Sequence, residues 1–285
     1  MSYDKQILPL LRSLTLLLAL LYAAGCTTVP APDARRANAE AIAASHGWAM
    51  QVIQARPFAL AAFMPPAVVP ASQLTIYLEG DGMAWATPSR MSADPTPLDP
   101  LALRLALAQP AGAAAYLGRP CQYIETVGAC DAAFWTSRRF APEVVAAMNE
   151  AIDVLKNRFN ASRLTLVGYS GGAAIALLAA ARRADVVRVV TVAGNLDHRA
   201  WTALHRIDPL RGSLNPADDA PSPRSFVQWH FAGERDDIVP PRLARDFAAS
   251  HANGLPTIRV MPGFDHHCCW TQAWPQLWRE VTSSQ

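Results

Sequence analysis

Short apolar runs and helical stripes succeed one another along this chain. Residues 74–78, 113–117, 164–167, 186–192, 226–231 and 257–261 have the length and the β-branched and aromatic content of buried strands. Between them come helical patterns. Val144, Val145, Met148, Ile152, Leu155 and Phe159 recur at helical spacing behind Pro142, which sits in a first turn where its missing N–H does no harm. Residues 101–108, 242–250 and 270–280 read as helices, the first of them stopped by Pro110. The alanine-rich run from Gly171 to Arg183 is apolar nearly all round, as a helix buried on every side would be. Residues 51–64 alternate enough for one or two early strands, antiparallel at a sheet edge where Pro57 is tolerable. Asp33 or Asn38 is a candidate cap for a short helix ending at Ser45, and 83–100, rich in Pro, Ser and Asp, reads as a loop. Strand and helix alternate throughout, which predicts an α/β fold with a mostly parallel central sheet and helices on both faces.

Composition agrees: 51% hydrophobic and 17% charged over 285 residues fits one large globular domain. The formal charge of +2 is too small and dispersed for a nucleic-acid partner. The N-terminus says more. Lys5 and Arg12 precede an apolar run over 14–24, too short to span a bilayer but suited to a signal-peptide core. It closes on Ala23-Ala24-Gly25-Cys26, which resembles the lipobox of bacterial lipoproteins, although Ala23 stands where that family more often has leucine. The resemblance implies a signal peptide over 1–25, a lipid on Cys26 and attachment to the membrane through it. Thr27, in place of aspartate, implies the outer membrane, facing the periplasm. An ordinary cleaved signal or an uncleaved anchor is the alternative. Residues 26–40, with Pro30 and Pro32, then form a lipidated tether, and 41–285 the domain, with room for a small cap at 194–224. Four further cysteines, an even number in an exported chain, point to disulfides. Cys121 with Cys130 makes the simplest loop, leaving Cys268 and Cys269 as free thiols or a vicinal pair.

The chemistry starts at Gly168-Tyr-Ser-Gly-Gly172, where strand meets helix. Glycines two residues either side of Ser170 leave room for a sharp turn that lifts the hydroxyl above the sheet and aims the Gly171 N–H at a developing oxyanion. An activated serine needs a base and a group that orients the base. After strand 226–231 comes Gly233-Glu-Arg-Asp-Asp-Ile-Val-Pro240, and after the last strand Pro262-Gly-Phe-Asp-His-His-Cys-Cys-Trp270. Together the three motifs resemble the α/β-hydrolase family, in the chain order Ser, Asp, His found there. The resemblance covers most of 50–285 and implies the α/β-hydrolase fold with Ser170, Asp236 and His266 as its triad. Asp237 and His267 are the neighbouring alternatives. By position, Asp81 of Glu79-Gly-Asp-Gly82 supplies the second oxyanion N–H beside Gly171, so its carboxylate must turn away, be paired or be protonated. A cation-selecting role for Glu79 or Asp81 is a further possibility.

The function these readings predict is an envelope serine hydrolase, esterase- or thioesterase-like, acting on a small ester or acyl substrate without cofactor. Peptidase action is a second enzymatic reading, and a non-catalytic lipoprotein binding a small ligand or a protein is the rival outside enzymes. The Asp265-His-His-Cys268 cluster lacks metal-ligand spacing, so no metal is assigned. Phe134, Trp135 and Trp201 are candidate pocket walls.

Overall fold

A computed structural model describes residues 29–87, 89–124, 130–218, 226–250 and 256–283. The signal peptide, Cys26 and residues 219–224 of the expected cap lie outside the described residues. Pro32–Gln285 forms one compact unit. Within it an eight-stranded sheet has the order β1-β2-β6-β3-β7-β8-β9-β10. β1 (Ala49–Ala55) and β2 (Phe58–Met64) form an antiparallel hairpin at one edge, turning at Arg56 and Pro57 as expected, and β2 meets β6 antiparallel. β6 (Ala113–Leu117), β3 (Gln73–Leu78), β7 (Arg163–Tyr169), β8 (Val186–Val192), β9 (Val227–Gly233) and β10 (Thr257–Met261) are parallel neighbours.

Both faces of the sheet are covered, which is why its strands read as continuous apolar runs. On one face Leu74, Ile76, Leu164 and Leu166 pack against α3 (Pro142–Arg158) and α4 (Gly171–Ala180), with Ala244 and Phe247 of α6 (Pro241–Ser250) in the same core. On the other, Tyr77, Val167 and Val190 pack with α1 (Pro32–Ala44), α2 (Leu101–Leu107) and α7 (Trp270–Ser283). α5 (His198–His205) follows β8. α4 is buried along its whole length, as its composition required.

Two boundaries differ from the sequence reading. α1 begins at Pro32, in keeping with the candidate cap at Asp33, so residues 32–40 of the expected tether are helical and belong to the folded unit. The reason is Arg35: its guanidinium is buried, donating to Thr96 O and paired with Asp94 at 3.3 Å, contacts that arise only when a distant loop folds over it. Segment 83–100 is also more than loop, since β4 (Trp85–Thr87) and β5 (Arg90–Met91) form a small antiparallel pair.

The topology dictates where chemistry can sit. Parallel neighbours end at one edge, so the residues that follow β6, β3, β7, β8, β9 and β10 converge there. Those residues include Arg119, Asp81, Ser170, Asn195, Asp236 and His266.

Candidate active site

Ser170 is the turn between β7 and α4, with φ 51° and ψ −118°. A serine holds that conformation only when its surroundings over-determine it. Here its N–H donates to Val192 O at 3.0 Å, while its own carbonyl accepts from Ala173 N at 3.1 Å and Asn195 N at 3.0 Å. Close packing completes the clamp: a Cβ on Gly172 would lie 2.3 Å from Leu78 O and 2.6 Å from Glu79 O, backbone atoms that cannot give way.

The three residues read as a triad are brought together. Ser170 Oγ lies 3.0 Å from His266 Nε2, and His266 Nδ1 lies 2.8 Å from Asp236 Oδ2. A carboxylate only accepts, so Nδ1 carries the proton and Nε2 is left as an acceptor facing the serine hydroxyl. Asp236 is 3% exposed, and its Oδ1 accepts from Ile238 N at 3.0 Å and Val239 N at 2.7 Å, which fixes the carboxylate behind the imidazole. Asp237 is exposed. His267 turns elsewhere: its Nδ1 lies 3.2 Å from Tyr169 Oη, whose hydroxyl also reaches His266 O at 3.3 Å. The histidine loop is pinned further by Asp265, whose Oδ1 accepts from His267 N and Cys268 N.

Asp81 is where the sequence posed a difficulty, and the answer is pairing. Its Oδ1 accepts from Arg119 Nη1 at 3.3 Å and its Oδ2 from Arg139 Nη1, with both arginines buried. The carboxylate lies over Gly171, where a Cβ would come within 2.1 Å of Oδ1. Two guanidiniums facing one carboxylate leave the locus with net positive charge, which suits an oxyanion nearby. Burial pulls the Arg119 pKa down to about 10, and Asp81 works against that fall. Each Asp81 oxygen faces a guanidinium, so its charge is already paired within the chain. Among the described residues no hydrogen bond occupies the N–H of Gly171 or of Asp81.

Glu79 is 1% exposed; Gly80 N donates to its Oε1 at 2.9 Å and Tyr116 Oη to its Oε2 at 3.1 Å. Burial raises its pKa to about 7 from 4.5, against the opposing pull of those bonds. Between about pH 4.5 and 7 the folded chain therefore keeps a proton that the unfolded chain has lost, and stability falls as pH rises through that window. Glu79→Gln, which mimics the neutral acid, is expected to flatten the fall and to exceed the parent in stability above pH 7, by up to roughly 3 kcal/mol. Urea unfolding of both proteins at pH 5 and pH 8 is the check.

A cleft of about 470 Å³ opens over Ser170 and His266. Trp85, Leu98, Trp201, Ile238 and Val239 are among its walls. Trp201 is held by a bond from its Nε1 to Ile238 O at 2.7 Å. Phe134 and Trp135 are not wall residues: Phe134 packs edge-on against Phe58, and buried Trp135 donates to Ser92 O. Trp85 lies in a segment without periodic pattern, so the sequence carries no signal for its place in the wall. Cys121 and Cys130 are bonded, with Cα atoms 5.7 Å apart, and Cys268 and Cys269 form a vicinal pair.

No protein-family model matches the chain, and no curated protein matches it by sequence. Solved structures do. An α/β serine hydrolase homologue from Coxiella burnetii aligns over 82% of this chain and 95% of its own, at TM-score 0.57 and 16% identity. Est1E from Butyrivibrio proteoclasticus aligns over 82% and 97%, at TM-score 0.55 and 14% identity. An esterase from Pyrococcus furiosus aligns over 90% and 95%, at TM-score 0.56 and 12% identity.

Proposed function

The chain has the α/β-hydrolase fold, and on that frame we propose that it is a serine hydrolase of small esters or acyl compounds. The observation that carries the proposal is the relay from Asp236 through His266 to Ser170 at the floor of an open cleft. In this reading His266 takes the Ser170 proton as Oγ attacks the ester carbonyl, and the oxyanion is met by the N–H groups of Gly171 and Asp81. Collapse expels the alcohol, which takes the proton back from His266. Water then repeats the sequence to release the acid from the acyl-serine. Asp236 holds the imidazole in the required tautomer and stabilises the imidazolium.

For the rival reading, a non-catalytic binding lipoprotein, Asp81 offers little, because its carboxylate is already paired with two guanidiniums. Location in the cell envelope, with a lipid on Cys26, belongs to the same proposal, and a disulfide between Cys121 and Cys130 supports an oxidising compartment. The test is covalent. A fluorophosphonate probe is expected to label the soluble domain once, and peptide mass spectrometry is expected to find the adduct on Ser170. A folded protein that takes up no probe would defeat the hydrolase reading.

A further inference from the structure

Asn195 lines the cleft with Ser170, three residues beyond the end of β8. Its backbone N–H donates to Ser170 O at 3.0 Å, so it is fixed next to the nucleophile. Its side chain, however, has no such attachment. The residue is 4% exposed, and Oδ1 is sealed from solvent without a hydrogen-bond partner. No hydrogen bond engages the amide nitrogen either among the described residues. Leaving a buried amide oxygen unpaired is destabilising, and an apolar side chain would carry no such penalty. The acids that line the cleft with it have partners: Asp81 two arginines, Glu79 Gly80 N and Tyr116 Oη, and Asp99 Arg104. The amide nitrogen is not sealed in this way, so the amide, turned one way or the other, can present a polar atom to a partner that arrives with the substrate.

We propose that Asn195 reads a hydroxyl group carried on the acyl part of the substrate, beside the scissile ester. The inference rests on the serine-hydrolase reading. A hydroxyl both donates and accepts, so it pairs with the amide in either of its two orientations. A plain alkyl chain leaves the amide bare, and a site built to bond a hydroxyl discriminates against the analogue that lacks one. The substrate class is therefore esters of hydroxy acids, with the hydroxyl close enough to the carbonyl to meet a residue bonded to Ser170.

The experiment compares p-nitrophenyl 3-hydroxybutyrate with p-nitrophenyl butyrate, in the parent and in Asn195→Leu, alongside thermal unfolding of both proteins. The parent is expected to favour the hydroxy ester in kcat/KM by about tenfold or more. In Asn195→Leu the ratio falls to near one, while the unfolding temperature stays level or rises. A residue with a merely structural role would leave the ratio where it was. Should the leucine variant not fold, Asn195→Ala serves the same comparison. Equal kcat/KM for the two esters in the parent, or a preference that survives the substitution, overturns the inference. Calorimetric binding of 3-hydroxybutyrate against butyrate separates the two layers of the argument. If the parent cleaves neither ester yet binds the hydroxy acid more tightly through Asn195, the hydrolase reading fails and this one stands. If it cleaves butyrate but shows no contrast in either assay, only this one fails.

Discussion

Ser170→Ala and His266→Ala are each expected to lower turnover of p-nitrophenyl butyrate by on the order of 10⁴-fold or more, while His267→Ala stays within about tenfold of the parent. The difference between adjacent histidines is geometric. The two rings stand almost perpendicular, at 87°, and only His266 lies between a serine oxygen and a buried carboxylate. His267 spends its Nδ1 on the Tyr169 hydroxyl, so its removal loosens the loop without removing the base. The same contrast applies to the acids, because Asp236 is buried behind the imidazole and Asp237 faces solvent. Serine and base act as a unit, so the double variant Ser170→Ala/His266→Ala is expected to be about as impaired as either single one. Steady-state kinetics on variants shown to be folded by circular dichroism decides the matter. Retained activity in His266→Ala with loss in His267→Ala would reverse the assignment.

Asp81→Ala is expected to destabilise the protein by about 3–5 kcal/mol and to remove most of its turnover. Arg119 and Arg139 have side chains only 5% and 7% exposed, and without the carboxylate two positive charges face each other in the interior. Arg119 keeps its contact over the Phe140 ring and its bond to Arg139 O, neither of which neutralises charge. The loss of activity has a separate origin: the carboxylate anchors the loop whose N–H would meet the oxyanion in the proposed reaction, and that placement is lost when the anchor goes. Asp81→Asn, which keeps the shape and one acceptor, is expected to fall between the alanine variant and the parent. Urea unfolding gives the first quantity and kcat/KM the second. An Asp81→Ala protein as stable as the parent would show that the arginines find other partners.

How far the sequence reached follows from what kind of information each feature carries. The sheet was legible because strands buried on both faces are written as uninterrupted apolar runs, and the hydrogen-bonded set of Ser170, His266 and Asp236 because each sits in a short local motif at a strand end. The partners of Asp81 were not legible as partners. The conflict of a carboxylate beside an oxyanion could be seen locally, but its resolution comes from arginines 38 and 58 residues further along the chain. Arg119 directly follows Gly118 at the end of β6, next to β3 in the sheet, so strand order would have pointed to it had strand order been known. Arg35 hides in the same way: a basic residue in a proline-flanked stretch looks like tether until its buried partners are found. Asn195 left no trace in the sequence, since what marks it is a sealed side-chain oxygen without a partner among the described residues.

The three indoles along α7 have a use beyond packing. Trp270, Trp274 and Trp278 recur one helical turn apart and are all buried, with Trp270 Nε1 donating to Asp265 O at 3.0 Å and Trp274 Nε1 to Tyr77 Oη at 2.9 Å. The first indole thus touches the loop that carries His266, and the second touches the central sheet. Light absorbed by this array is emitted from a dry, rigid environment as long as loop and sheet stay docked. The last helix is in that sense an optical gauge of the docking of loop and sheet, read as a change against the emission of the five tryptophans elsewhere in the chain.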